Sequence, residues 1–154
     1  MLPTPVRYKL VAGSGEGNTH LTAFDTALLN AGAGNLNLLR VSSILPPRAV
    51  EDPNLTIPPG SLTPVAYGTL TSDQPEQIIA AAIGVGIAED PAGYGIIMEY
   101  EGYCSRKEAE DVVTAMVQEG FAKRGVKLQR ILVKGVEHRV EKCGSVFAAV
   151  LLWY

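Results

Sequence analysis

The 154-residue sequence contains few of the side chains from which disulfide scaffolds and metal sites are built. Its two cysteines, Cys104 and Cys143, are too few and too far apart for a disulfide framework or a zinc site. Its two histidines, His20 and His138, have no companion ligands at metal-binding spacing. His138 lies in a charged stretch, which we interpret as a solvated strand face. We therefore expect no metal in this protein.

The sequence also lacks an excess of one charge and a long apolar run. Thirteen Lys and Arg against 16 Asp and Glu give a net charge of −3, which argues against a nucleic-acid-binding protein. No segment reaches the roughly 18 apolar residues of a membrane span, and residues 1–9 lack the apolar core of a signal peptide. With 47% apolar residues, the chain should fold as one soluble domain, and we expect it in the cytoplasm.

Apolar periodicity, glycines and prolines predict elements in the order β-α-β-β-α-β-α-β-β. Strands are expected at residues 6–12, 36–42, 62–70, 95–100, 127–140 and 146–154. Helices are expected after Asn18 or Thr19, after Ser72 or Asp73, and after Ser105, which has capping-box spacing to Glu108. The buried faces of the first two helices are assigned to Leu21, Phe24 and Leu28, and to Ile78, Ile79, Ala82, Ile83 and Ile87. The closing hairpin favours a mixed or antiparallel sheet, and hence an α+β fold.

A glycine-rich segment, residues 13–18, separates the first predicted strand from the first helix. Three glycines in five positions indicate positive φ angles or the close approach of another segment. Strand-to-helix junctions often hold phosphates, yet this one lacks both P-loop and G-x-G-x-x-G spacing, and Glu16 would repel a phosphate. We favour a tight structural turn and keep a non-enzymatic ligand-binding module that uses residues 13–18 as an alternative.

A serine pair, Ser42-Ser43, ends an apolar strand just before Pro46-Pro47. Composition alone favours two serines that merely end the strand. A chemical alternative is that the Ser43 hydroxyl attacks the Ser42 carbonyl and turns the amide into an ester. Elimination would then leave a dehydroalanine that hydrolyses to a pyruvoyl group. Such an attack needs a strained peptide and a polarised carbonyl, which the Asn37 amide could polarise.

Five stretches of the sequence resemble the pyruvoyl-dependent arginine decarboxylases. They are LVAGSGEG at 10–17, AFDTALLNAG at 23–32, NLNLLRVSSILPP at 35–47, MEYEG at 98–102 and FAAVLLWY at 147–154. The resemblance implies cleavage between Ser42 and Ser43 into a small chain, 1–42, and a larger chain, 43–154. The larger chain would begin with a covalent pyruvoyl group made from Ser43, so that neither PLP nor a metal is required.

The same resemblance assigns roles to three further residues. Asn37 would assist self-processing, Glu99 would be the catalytic acid, and Asp25 would bind the substrate guanidinium. The implied reaction converts L-arginine to agmatine and CO2, for polyamine synthesis or acid consumption. It proceeds through a Schiff base to the pyruvoyl ketone, which accepts the electrons that CO2 leaves behind. Glu99 lies in an apolar strand, where burial should raise its pKa. A pyruvoyl-dependent decarboxylase of another amino acid is the alternative.

The resemblance also implies a layered αββα sandwich, assembled as a trimer or a dimer of trimers with active sites between subunits. One difficulty concerns Asn37, because the six residues to Ser43 span roughly 20 Å of extended chain. Asn37 can reach the scissile bond only if the strand bends or if it acts across a subunit boundary. Asp25, taken alone, is a solvated helix residue. Arg40 could bind the substrate carboxylate, although a solvated strand residue is the simpler interpretation.

Overall fold

The computed structural model describes residues 2–154 as two stacked β-sheets with one helix on each outer surface. The elements are β1 (Arg7–Glu16), α1 (His20–Ala31), β2 (Asn37–Arg40), β3 (Ile44–Leu45), β4 (Val50–Glu51), β5 (Leu62–Ser72), β6 (Ile78–Ala88), β7 (Gly95–Gly102), α2 (Arg106–Arg124), β8 (Leu128–Arg139) and β9 (Gly144–Trp153). Neither helix of this part of the chain is long and apolar enough to cross a membrane. The predicted α+β class and αββα layering are confirmed.

The two sheets differ in the direction of their strands. The first sheet has the order β2-β5-β9-β1-β4 and is mixed. The edge strand β2 is parallel to β5, and the edge strand β4 is parallel to β1, whereas β9 is antiparallel to both β5 and β1. The second has the order β3-β7-β6-β8 and is antiparallel throughout. The central core lies between the sheets and includes Tyr8 and Val146 from the first and Ile83 and Ile97 from the second.

Both helices begin and end at the residues that the capping signals predict. The side chain of Thr19 caps α1, and Ser105 caps α2 in a capping box with Glu108. Each helix ends at a glycine in the left-handed conformation, Gly32 and Gly125, where any other residue would be strained. The buried face of α1 differs from the prediction: it is formed chiefly by alanines, and Leu21 is 74% exposed.

The helix predicted after Ser72 or Asp73 is wrong, because its apolar residues form the strand β6. This strand lies inside the second sheet, with the first sheet on one face and α2 on the other. Almost every residue of β6 is therefore buried, and no polar–apolar alternation marks it as a strand. Periodicity alone does not distinguish such a continuous apolar run from a buried helix.

The glycine segment is not the predicted tight turn, because β1 continues through it to Glu16. Gly13 lies so close to α1 that a Cβ atom there would be 2.5 Å from the Ala31 nitrogen and 2.6 Å from the Ala27 oxygen. The glycines with positive φ in residues 2–154 lie elsewhere in the chain. Close approach of the helix, and not turn geometry, accounts for the glycines of this segment.

His138 is not on a solvated strand face. Its side chain is 19% exposed, and its Nε2 atom lies 2.6 Å from Glu16 Oε2. Glu16 belongs to β1 of the first sheet and His138 to β8 of the second. The pair therefore joins the two sheets at one end of the sandwich.

Candidate active site

The serine pair lies where the chain passes from the first sheet to the second. Before the pair, the Val41 N–H donates to the Val65 carbonyl of β5 at 2.9 Å. After it, the Ser43 carbonyl accepts a hydrogen bond from the Ile97 N–H of β7 at 2.7 Å. The Ser42–Ser43 peptide bond is thus held between two anchors, one in each sheet.

Glu99 lies on β7 two residues beyond Ile97, and side chains at this spacing point to the same face of a strand. That face is the inner one, because Ile97 belongs to the core between the sheets. The Glu99 side chain is 27% exposed. Burial raises its pKa above the ordinary value, although the nearby Arg40 guanidinium opposes the shift. The structure therefore brings a carboxyl group with increased proton affinity close to Ser43.

Arg40 reaches the same place from β2. Its Nη2 atom donates to the Tyr67 carbonyl at 2.8 Å and lies 3.8 Å from Glu99 Oε1. Its guanidinium carbon lies 4.4 Å from the centre of the Tyr67 ring, which is within the range of a cation–π contact. Arg40 is half exposed, but these contacts make it a restrained part of the site and not the solvated strand residue of the simpler interpretation.

A second carboxylate, Glu101, lies two residues beyond Glu99 on the same face of β7. The inner face of β5 has a glycine at this place, and a Cβ atom on Gly68 would lie 2.8 Å from Glu101 Oε2 and 3.4 Å from Glu99 Cβ. Gly68 therefore leaves room for both side chains between the sheets. Burial raises the pKa of Glu101 as well, again against the influence of Arg40.

The structure does not bring Asn37 to this cluster within one chain. Strand β2 runs beside β5 in an unbroken parallel register, from Asn37 opposite Leu62 to Arg40 opposite Val65. The Asn37 side-chain amide donates to the Gly60 carbonyl at 2.8 Å. Because β2 does not bend back, Asn37 does not reach the scissile bond of its own chain, and only action across a subunit boundary is left.

Asp25 is also remote from Glu99 within one chain. It is an exposed residue of α1, which covers the outer surface of the first sheet. Glu99 faces the inner surface of that sheet, at Gly68. The first sheet therefore separates the two carboxylates.

Sequence reasoning missed the contribution of Tyr67, Gly68 and Glu101. Each contact joins segments that are distant in the chain, and each depends on how the two sheets stack. The only local signal is the spacing of Glu99 and Glu101, which a strand places on one face.

Comparisons with known proteins identify the family of the chain. The family model described as pyruvoyl-dependent arginine decarboxylase matches residues 7–154. Relatives named pyruvoyl-dependent arginine decarboxylase include those of Methanocaldococcus jannaschii, 55% identical over 97% of this chain and 91% of the relative, and Pyrococcus horikoshii, 45% identical over 97% and 96%. A solved pyruvoyl-dependent histidine decarboxylase shares the fold, with a TM-score of 0.53 at 16% identity, over 64% of this chain and 52% of that one. The chain belongs to the pyruvoyl-dependent arginine decarboxylase family.

Proposed function

We propose that this protein decarboxylates L-arginine to agmatine and CO2 with a pyruvoyl group made from its own Ser43. Family membership supports the reaction. The observation that carries the proposal in this chain is that Ser43 is hydrogen-bonded to the same stretch of β7 that carries Glu99. The Ser43 carbonyl is bonded to Ile97, and Glu99 follows two residues later on the same face.

The proposed processing step uses only this chain and water. The Ser43 hydroxyl oxygen attacks the Ser42 carbonyl carbon, and the C–N bond breaks as the ester forms. Elimination at residue 43 then releases the Ser42 carboxylate and leaves a dehydroalanine, whose nitrogen departs as ammonia when water adds. The residues present fit this outcome, because the hydrogen bonds of Val41 to Val65 and of residue 43 to Ile97 use atoms that the cut does not remove, and both could persist in the cut chain.

In the proposed reaction, the pyruvoyl group supplies a ketone that binds the substrate amine and accepts the electron pair left by CO2. The Ile97 N–H would hold that end of the large chain against β7. Glu99 would then give a proton to the substrate α-carbon. A general acid works best when it still carries its proton near the operating pH, which the raised pKa of Glu99 favours.

Asp25 is proposed to bind the substrate guanidinium, and Asn37 to assist processing, each from a neighbouring subunit. A carboxylate can accept two parallel N–H bonds from a guanidinium, which a lysine or ornithine amine does not offer. Because the first sheet separates Asp25 from Glu99, one pocket can contain both only if it forms between two chains. Such a site requires an oligomer, and from the family resemblance we propose a homotrimer or a dimer of trimers.

Exposed apolar side chains surround both of these residues, as a subunit interface requires. Leu21 and Leu29 lie one turn before and after Asp25 on α1, and are 74% and 52% exposed. Leu62 pairs with Asn37 across the β2–β5 ladder and is 62% exposed. Contact with a second copy of the chain would cover these leucines.

Intact-mass measurement combined with CO2 release from labelled arginine tests the proposal. We expect two chains cut between Ser42 and Ser43, with the larger one lighter by one ammonia than a chain with an N-terminal serine. Ser43→Ala should abolish cutting and CO2 release together, whereas Thr56→Ala, which changes an exposed loop hydroxyl, should affect neither. An uncut chain that releases CO2 would refute the mechanism. CO2 from lysine, ornithine or histidine but not arginine would refute the substrate.

Mixing two defective variants, assayed at an arginine concentration near the wild-type KM, tests whether the site is shared between subunits. Ser43→Ala subunits would lack the pyruvoyl group and retain Asp25, whereas Asp25→Ala subunits would have the reverse defect. Co-expression should restore part of the wild-type activity, because some interfaces then combine two intact halves. No recovery in co-purified mixed oligomers would contradict a shared site.

A further inference from the structure

We propose that Arg40 and Glu101 are positioning residues that act on Glu99 in opposite directions, Arg40 favouring the charged carboxylate and Glu101 favouring the protonated acid. This inference rests on the proposed role of Glu99 as the proton donor. It adds two residues to the site and gives a role to each of the two charged groups near Glu99.

Two contacts with Tyr67 hold the Arg40 guanidinium in a fixed position. The Tyr67 carbonyl accepts a hydrogen bond from Nη2 at 2.8 Å, and the Tyr67 ring lies beneath the guanidinium at 4.4 Å. From there Nη2 is 3.8 Å from Glu99 Oε1, which is too long for a hydrogen bond but close enough for electrostatic attraction. Arg40 therefore attracts the Glu99 carboxylate, while the carboxylate oxygens of Glu99 remain available to a substrate.

Glu101 is placed beside Glu99 by the strand itself. Two residues of a strand advance by about 7 Å and keep the side chains on one face. Gly68 leaves space for the Glu101 carboxylate beside the inner face of β5, although Glu101 as a residue is exposed to solvent. A negative charge at that position opposes the loss of the proton from Glu99.

The other strands around Glu99 present no competing charge in the part of the chain that the structure describes. Ile83 of β6 pairs with Glu99 in the second sheet. Gly68 and Ala66 form the inner face of β5 opposite it. The charged groups that affect the pKa of Glu99 are therefore Arg40, which lowers it, and Glu101, which raises it, in addition to burial, the largest effect, which raises it.

The test compares pH profiles of kcat/KM for processed wild type, Arg40→Gln and Glu101→Gln. Because Glu99 must carry its proton, activity falls as the pH rises through its pKa. Arg40→Gln should move this alkaline limb to higher pH and Glu101→Gln to lower pH, each by roughly half a unit to one unit. Arg40→Lys should restore the position of the limb, because it keeps the charge. Arg139→Gln, which removes an exposed arginine that pairs with Glu76, should leave it unmoved.

A second measurement does not depend on activity or cleavage. Carboxyl 13C NMR titration of Glu99 in the uncut Ser43→Ala protein should show the same two opposite shifts. Equal losses of activity at every pH with an unmoved titration, or shifts of both variants in one direction, would overturn the proposal. Undiminished CO2 release by processed Glu99→Gln would instead refute the role of Glu99 as the acid. In that case, opposite shifts in the NMR titration would still support the electrostatic assignment.

Discussion

Glu99 and Asp25 are carboxylates of one chain in very different surroundings. Glu99 lies between two sheets, where burial raises its pKa and suits it to carry a proton. Asp25 is exposed on a helix, where a charged carboxylate is well solvated and available to a cation from another molecule. The two environments match the two proposed tasks, proton donation and guanidinium binding.

Asp25→Asn keeps the shape of the side chain and removes its charge. If Asp25 binds the substrate guanidinium, KM for arginine should rise by about 10- to 100-fold, the effect of losing a charge-assisted hydrogen bond, while kcat falls much less. Steady-state kinetics of the processed enzyme measures both constants. Asp111→Asn, at an exposed aspartate of α2, is the matched control and should change neither. Unchanged KM in the Asp25 variant would contradict the guanidinium-binding role.

At the residue scale, the sequence predicted Ser43 and Glu99 through the resemblance and through the apolar strand around Glu99. It did not predict the contacts of Arg40, because the nearest partner, Tyr67, is 27 residues away and lies on another strand. Local periodicity carries no information about which strands become neighbours. The roles of all four residues, Ser43, Glu99, Asn37 and Asp25, remain predictions, and those of Asn37 and Asp25 depend on subunit contacts.

At the scale of secondary-structure elements, the contact of β1 with α1 explains a sequence feature that resembled a ligand loop. Gly13 faces the helix, and a Cβ atom there would meet backbone atoms of Ala27, Asn30 and Ala31 at 2.5–2.9 Å. Backbone atoms of a helix cannot move aside as a flexible side chain can. The glycine is therefore required for the helix to lie flat on the sheet.

Gly13→Ala should lower the free energy of unfolding by about 2–3 kcal/mol, because the strand and helix must separate. Urea unfolding of the Ser43→Ala protein, in which residues 1–154 remain one uncut polypeptide, measures the change. Ser14→Ala, on the other face of β1, is the control and should have a smaller effect. Stability equal to that of the parent would mean that the helix can shift freely, contrary to the close packing described.

Helix ends were predictable at this scale, whereas β6 was not. Thr19 and Ser105 cap their helices by hydrogen bonds to residues three positions later, so a few consecutive residues are enough to predict each helix start. The strand character of β6 comes from being covered on both faces by distant segments. A buried environment of that kind removes the alternation on which strand prediction depends.

At the scale of the whole molecule, Glu16 and His138 connect the two sheets. Burial would raise the pKa of Glu16, but hydrogen bonds donated by the Lys142 backbone N–H and the His138 ring outweigh it and lower the pKa below 4.5. Because the pKa of Glu16 is lower in the folded than in the unfolded state, its charged carboxylate stabilises the fold at pH values above the unfolded-state pKa. This stabilisation is lost as the pH falls through the folded-state pKa.

Glu16→Gln should therefore lower the free energy of unfolding at pH 7 by about 1–3 kcal/mol. The difference from the parent should shrink on acidification to about pH 3, below the ordinary carboxyl pKa, because Glu16 then begins to lose its own charge. Urea unfolding of the uncut Ser43→Ala protein at both pH values provides the comparison. Glu76→Gln, at an exposed glutamate, is the control and should change stability little at either pH. A Glu16 effect that is the same at both pH values would contradict the electrostatic explanation.

The position of β1 determines the order in which the protein would have to fold and be cut. Residues 1–42 carry β1, α1 and β2, and β1 lies between β9 and β4, both of which belong to residues 43–154. Scission after Ser42 would leave two polypeptides interleaved in one sheet. Folding would then have to come before cutting, and a denatured mature molecule would need its separated fragments to meet again by diffusion. Refolding of a mature protomer would depend on the concentration of its fragments, whereas a newly made chain would fold into a protomer without such a dependence.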